Sequence, residues 1–121
     1  MRNTNLVIIL SDQHNPRVMG CAGHALVKTP HIDALAQAGT RFKSCITPNV
    51  VCQPARASIL TGQLPLTHGV WDNGVDLDPA IGANGMAGQL AQAGYFTSFV
   101  GKAHFSTKNT FKPTGTPECR S

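Results

Sequence analysis

The chain has 121 residues, of which 41% are hydrophobic and 13% are charged, and its formal net charge is +4. This composition is that of a folded domain and excludes an intrinsically disordered chain. The positive charges are dispersed without a basic run, which argues against nucleic-acid binding, and no apolar stretch is long enough to span a membrane. We therefore expect neither nucleic acid nor membrane as a partner.

Strand and helix patterns alternate along the chain. Apolar or β-branched runs at 5–10, 41–47 and 95–100 predict strands, the first of them buried and parallel. Helices are predicted at 30–38, 54–61 and 86–93, which end at Gly39, Gly62 and Gly94, whereas 14–28 and 63–85 have the composition of loops. This order predicts an α/β fold with a mostly parallel central sheet flanked by helices.

The end of the chain carries little that could complete a core. Residues from Ser106 onward are polar and rich in Pro and Gly, and no closing helix follows the last predicted strand. We expect residues 1–121 to be the N-terminal part of a larger domain, with an open sheet edge that favours association.

The cysteine spacing fits neither a disulfide scaffold nor a zinc site. We expect three of the four cysteines to be small buried apolar residues: Cys21, Cys45 and Cys119. The apolar run at 6–10 is too short for a signal peptide, so a cytoplasmic location is the simplest interpretation.

The remaining cysteine, Cys52, begins the most informative motif of the chain. This motif is Cys52-Gln53-Pro54-Ala55-Arg56, and a Leu-Thr-Gly sequence follows it. The motif C-x-P-x-R resembles the signature of the type I sulfatases, which are formylglycine-dependent members of the alkaline-phosphatase-like superfamily. The segments Thr29-Pro30-His31-Ile32-Asp33 and Gly39-Thr40-Arg41-Phe42 also resemble that family, in its order. Choline-sulfatase-like and phosphonate monoester hydrolase-like members are the most similar, and the resemblance covers most of residues 5–105.

The resemblance implies covalent catalysis at position 52. In this family a maturation enzyme oxidises the cysteine to formylglycine (3-oxoalanine), and one hydroxyl of the aldehyde hydrate attacks the sulfur of a sulfate ester. The second hydroxyl then expels sulfate, a release step that an ordinary serine lacks. Arg56, one helical turn beyond Cys52, would hold the formylglycine and its negative charge.

Asp12 and Gln13 follow the first predicted strand, where ligands bind in open α/β sheets. The resemblance makes Asp12, Gln13 and the modified Cys52 ligands of a divalent metal ion, Ca²⁺ or alternatively Mn²⁺ or Mg²⁺. Many sulfatases have Asp-Asp here, so Gln13 is a departure, with a second role in substrate binding. The other metal ligands lie far downstream in family members, so this chain would hold half a metal site.

Lys102 and His104 lie in a segment that resembles the G-K-x-H sequence of sulfatases. If the chain is extended there, their side chains point the same way. Lys102 would bind and neutralise sulfate oxygens, and His104 would take the proton that drives sulfate release. The sequence His68-Gly69-Val70-Trp71-Asp72-Asn73 also resembles the family, and the resemblance implies that Asn73 lies near the substrate. We expect His68 to bond backbone groups and Trp71 to be a packing residue.

These residues predict a sulfuric ester hydrolase that acts on a small anionic sulfate ester. Hydrolysis of phosphonate or phosphate esters remains an alternative because Gln13 permits it, and Lys102 and His104 favour sulfate. A non-catalytic fragment that keeps only the fold motifs is the third interpretation, and the 121 residues alone are expected to be inactive. A homo-oligomer is an expectation for the full-length form.

Overall fold

The structure is a computed structural model that describes residues 4–105, and these residues divide into two compact units, 4–45 and 46–105. The described part contains one 3₁₀ turn, Gly20–Ala22, and five helices: α1 Pro30–Ala38, α2 Cys52–Thr61, α3 Pro65–His68, α4 Pro79–Ala83 and α5 Met86–Gln92. The three helices predicted from the sequence are confirmed, and α2 begins two residues earlier than expected. None of these helices has the length and apolarity that a bilayer crossing requires.

Polar contacts around Asp33 hold the first unit together, since none of its described residues is buried. The Asp33 carboxylate accepts hydrogen bonds from the Cys21 backbone N–H (2.6 Å) and the Thr29 hydroxyl (2.9 Å). Desolvation raises the pKa of Asp33, but the bonds from Cys21 and Thr29 outweigh it, so the net pKa lies below the ordinary value. The carboxylate thereby joins the 3₁₀ turn to α1.

Helix α2 is the centre of the second unit, and α3, α4 and α5 all pack against it or its neighbours. Helix α2 contributes Ala57 and Leu60 to the core of this unit, while its other buried residues include the polar Gln53, Arg56 and Ser58. The core consists of Ala57, Leu60, Val70, Leu77 and Phe105. The Leu77 N–H donates to the Phe105 carbonyl (2.9 Å), so the end of the described chain closes over α2.

Two short helices occupy a segment predicted to be loop. Helix α3 begins at Pro65, whose fixed φ suits the first helical position. Helix α4 begins after Asp78, whose side chain accepts from the Ala80 N–H at 2.7 Å. Each helix is only four or five residues long, so no helical periodicity was present for the sequence to reveal.

The predicted parallel sheet is not confirmed in residues 4–105. The segments 5–10, 41–47 and 95–100 contain no assigned strand. A parallel strand requires ladder hydrogen bonds from neighbouring strands and cover on both faces. Here the side chains of residues 6–10 are between 50% and 87% exposed, so the described residues supply no such cover.

Candidate active site

Cys52 occupies the first position of α2, where its side chain is half-buried. The residue before it, Val51, offers no side-chain cap to the helix. Asn73 takes that role from a distant loop: its Oδ1 accepts from the Gln53 N–H (3.1 Å) and lies 3.4 Å from the Cys52 Sγ. The structure therefore brings together Cys52 and Asn73, which the sequence predicted separately.

Gln53 is a residue of this site that sequence reasoning missed. Its side chain has no exposed surface, although it stands in the variable second position of the C-x-P-x-R motif. Its carboxamide bonds to the backbone of residues 74 and 75. The residue type was the only signal in the sequence. A glutamine that is buried at the start of a helix needs hydrogen-bond partners for both the N–H and the oxygen of its carboxamide.

Arg56 lies four residues beyond Cys52 in the same helix, about one turn away. The residue is only 7% exposed, so Arg56 is not a surface arginine. Nη1 donates to the backbone carbonyl of Lys102, which joins α2 to the Gly101–His104 segment. A guanidinium has five N–H donors, so it can serve a carbonyl and an anionic oxygen together.

Lys102 and His104 do not follow the extended geometry expected for them. His104 has a φ of 52°, in the left-handed region, and no strand is assigned from residue 101 to residue 105. The alternation of side chains along a regular strand therefore does not apply to this pair. Lys102 is exposed and His104 is half-buried beside the core residue Phe105.

The left-handed conformation at His104 is shared with a second predicted site residue. Among non-glycine residues of the described chain, only Gln13 (φ 51°) and His104 have a positive φ. Such backbone geometry costs on the order of 1 kcal/mol or more and concentrates at functional sites. The observation was not accessible from sequence, because neither residue type demands this conformation.

His68 is structural, as expected, and its partners define its tautomer. The residue is 2% exposed, its ring Nδ1 accepts from the Val70 N–H (3.1 Å), and its Nε2 lies 2.9 Å from the Ser58 Oγ. Because Nδ1 accepts, Nε2 carries the proton and donates to Ser58. Burial lowers the pKa of His68 despite an opposing backbone hydrogen bond, so the neutral form is favoured.

Asp12 and Gln13 belong to the first unit, where both are exposed. Their carboxylate and amide oxygens are donors of the kind that a hard cation prefers, but Ca²⁺ takes six to eight such oxygens. Within residues 4–105, no cluster of three or more His, Cys, Asp or Glu side chains could hold a metal ion. The side-chain oxygens of Asp12 and Gln13 are thus of the type that the predicted metal ion prefers, but these two residues provide only part of a coordination shell.

Two expectations about other residues are wrong. Cys45 is exposed and Cys21 only half-buried, so neither is a buried apolar residue, and Cys119 lies outside the described residues. Trp71 is 65% exposed, so its indole is not a packing residue within the described chain. Its backbone carbonyl accepts from the Asn49 Nδ2 (3.3 Å), which anchors the loop that carries Asn73.

Comparison with known proteins gives the family. The family model for sulfatases matches residues 4–116. The chain is 42% identical over 100 residues to an ulvan-active sulfatase of Formosa agariphila, covering 83% of this chain and 19% of the relative. It is 37% identical to the choline-sulfatase of Rhizobium meliloti and 37% identical to human arylsulfatase A, covering 84% and 85% of this chain.

The chain belongs to the sulfatase family, as its cysteine motif predicted. That family is alkaline-phosphatase-like and α/β. The chain spans about a fifth of the length of the curated relatives it matches, 19% of the choline-sulfatase and 21% of arylsulfatase A.

Proposed function

We propose that the protein hydrolyses a sulfate monoester to an alcohol and inorganic sulfate, with residue 52 as the nucleophile. The carrying observation is the placement of Cys52 at the start of α2, with Asn73 Oδ1 3.4 Å from its sulfur. A side chain at a helix N-terminus lies in the positive end of the helix dipole, which favours an anionic nucleophile and an anionic substrate. The sulfatase family membership supports the same reaction.

Position 52 is proposed to carry formylglycine, produced from Cys52 by a maturation enzyme. The hydrate of this aldehyde supplies two hydroxyls, one to attack sulfur and one to release sulfate. Asn73 Oδ1 is placed to accept a hydrogen bond from a hydroxyl where it now meets the thiol, and it thereby orients the group at position 52.

Arg56 is proposed to stabilise negative charge at the reacting end of α2. It is held in the same helix as Cys52 and is fixed by its bond to the Lys102 carbonyl, so little reorganisation is needed during reaction. The Lys102 ammonium is proposed to bind sulfate oxygens, and the His104 imidazole to accept the proton lost at sulfate release. The Arg56 bond supports this grouping because it brings the Lys102 backbone to α2.

Asp12 and Gln13 are proposed to provide oxygen ligands to a divalent cation, with Ca²⁺ as the first choice and Mn²⁺ or Mg²⁺ as alternatives. A bound cation would supply electrostatic stabilisation of the nucleophile and substrate oxygens. The oxygen donor set at 12 and 13 supports this assignment.

The substrate class follows from what the relatives share. Their names include a choline-sulfatase, an N-acetylglucosamine-6-O-sulfatase and an ulvan-active sulfatase, whose substrates differ in the alcohol and agree in the sulfate ester. We propose a sulfate ester and assign no particular alcohol. Gln13, in place of a second aspartate, favours phosphonate or phosphate esters as the second candidate substrates.

The test combines mass spectrometry with a kinetic assay on the protein purified from its own source. The peptide that contains residue 52 is expected to carry an aldehyde in place of the thiol. An aryl sulfate should be hydrolysed with a higher kcat/KM than the matched aryl phosphonate. An intact thiol together with no hydrolysis would reject the proposal, and a preference for the phosphonate would select the second candidate.

A further inference from the structure

We propose that Gln53 is a positioning residue that holds the Asn73 carboxamide against the side chain at position 52. This inference rests on the proposed function for its catalytic consequence, but its structural basis is independent of any reaction. It assigns a role to the second position of the C-x-P-x-R motif.

The Gln53 carboxamide makes two hydrogen bonds to the backbone of a turn, at residues 74 and 75. Its Nε2 donates to the Val75 carbonyl (2.8 Å), and its Oε1 accepts from the Gly74 N–H (2.8 Å). Only one orientation of the amide satisfies both partners, because the reverse would place oxygen against oxygen and N–H against N–H. The side chain therefore fixes the register of the loop relative to α2.

The backbone of Gln53 adds a third contact to the same loop. Its N–H donates to Asn73 Oδ1 (3.1 Å), so one residue bonds to three consecutive residues, 73, 74 and 75. Asn73 itself is exposed and its own N–H bonds to the Asp72 side chain, within the loop. Of the hydrogen bonds described above, only those of Gln53 and the thiol contact tie residues 73–75 to the start of α2.

Burial makes this three-point contact strong. The Gln53 side chain has no exposed surface, and a buried amide that keeps both hydrogen bonds rigidifies its surroundings. Without it, Asn73 would be held at position 52 only by its own exposed carboxamide. A displacement of about 1 Å at a reacting group can reduce the rate by about 100-fold, so loop register matters for catalysis.

The first experiment measures the thiol in protein whose Cys52 is unoxidised. Cys52 is alkylated briefly with iodoacetamide, and its modification is quantified against the exposed Cys45 as an internal reference. Gln53→Met and Asn73→Ala are each expected to change the Cys52 rate by about threefold or more in the same direction. The double variant should match Asn73→Ala alone, because Gln53 acts through Asn73.

The controls separate positioning from loss of folding. Gln63→Met removes an exposed glutamine and should leave the Cys52 rate unchanged. Gln53→Glu keeps the acceptor for the Gly74 N–H but places an oxygen against the Val75 carbonyl. If Gln53→Met does not fold, Gln53→Glu replaces it in the double-mutant cycle with Asn73→Ala. Additive effects of the two substitutions, or no effect of either Gln53 variant, overturn the proposal.

The second experiment repeats the double-mutant cycle with the matured protein and measures kcat and KM for hydrolysis of a sulfate ester. Gln53→Met should lower kcat by about tenfold with little change in KM, and it should have almost no effect in the Asn73→Ala background. A mature protein that hydrolyses no sulfate ester while the thiol cycle remains coupled rejects the proposed function alone. A KM effect that persists without Asn73 rejects the positioning role.

Discussion

The Arg56 guanidinium donates a hydrogen bond to the backbone carbonyl of Lys102, 46 residues further along the chain. This bond joins the helix that begins at Cys52 to the segment that contains Lys102 and His104. A side chain assigned to charge stabilisation thus also fixes the backbone of a second predicted site segment. Both functions depend on the planar, multiple-donor geometry of arginine.

Arg56→Lys is therefore expected to lower kcat/KM for a sulfate ester by about 100-fold, as the loss of a fixed donor does at other oxyanion sites. An ammonium cannot serve the Lys102 carbonyl and an anionic oxygen with the same geometry. The measurement is steady-state kinetics of the matured protein. Arg17→Lys, at an exposed position, is the matched control, and equal effects of the two substitutions would contradict the role of Arg56.

Cys52→Ser is expected to abolish turnover while still permitting one attack. The serine oxygen would form a bond to sulfur as the ester alcohol leaves with a proton, and the resulting serine sulfate has no second hydroxyl to expel sulfate. Released alcohol should not exceed one equivalent, and mass spectrometry should find a sulfo group on residue 52. Cys45→Ser, at an exposed cysteine, should retain turnover.

Acidification should destabilise the second unit through His68. Its pKa is lowered in the folded state, so the unfolded chain binds more protons below the ordinary value of 6.5. Stability is fully present above about pH 6.5 and is lost as the pH falls through the lower pKa of the folded state. Protonation also removes the acceptor that the Val70 N–H uses.

Thermal unfolding between pH 7.5 and pH 4.5 measures this dependence. His68→Gln should flatten the decline, because it removes the titrating ring. His31→Gln, an exposed position on α1, is the matched control. A slope that His68→Gln leaves unchanged would assign the dependence to another group.

Asp33 predicts a pH dependence in the first unit at lower pH. Its pKa lies below the ordinary value of 3.8 in the folded state, so its contribution is present above pH 3.8 and is lost as the pH falls through the folded pKa. Asp33→Asn should remove this dependence and accelerate amide hydrogen exchange at Cys21, whose N–H loses a carboxylate acceptor. Unchanged exchange at Cys21 would contradict the role of the carboxylate.

Gly88→Ala tests the packing of α5. Alanine is the better helix former by about 1 kcal/mol, so helix propensity alone predicts stabilisation. A Cβ at residue 88 would, however, lie 1.7 Å from the Ala83 carbonyl oxygen, which is backbone and cannot turn aside. We expect a net loss of about 2 kcal/mol in the free energy of unfolding, measured by denaturant titration. Gln92→Ala, exposed on the same helix, is the control.

Local signals in the sequence predicted three of the five helices, α1, α2 and α5. Helix α1 follows from Thr29-Pro30 and Gly39, and α2 ends at Gly62, whose φ of 70° suits glycine. The sheet was predicted from apolar runs, and a run of apolar residues reports burial without naming the neighbouring strands. Residues 4–105 contain no assigned strand, so the predicted strands have no neighbours among the described residues with which to form a sheet.

The candidate site was predictable in its chemistry and not in its geometry. The motif selected Cys52 and Arg56, and the structure places Asn73 beside the cysteine. The roles of Gln53 and of the left-handed His104 arise from long-range hydrogen bonds and backbone dihedral angles. Such features depend on how distant segments meet, and no local pattern encodes them.

The cap that Asn73 provides to α2 also sets the order in which this unit can fold. A ten-residue helix is marginal alone, and Val51 supplies no local side-chain cap. The first turn therefore gains its cap only when the chain has returned to it from 20 residues downstream. During synthesis, the Cys52 segment remains without that contact until residue 73 has left the ribosome, so we expect the start of α2 to order late.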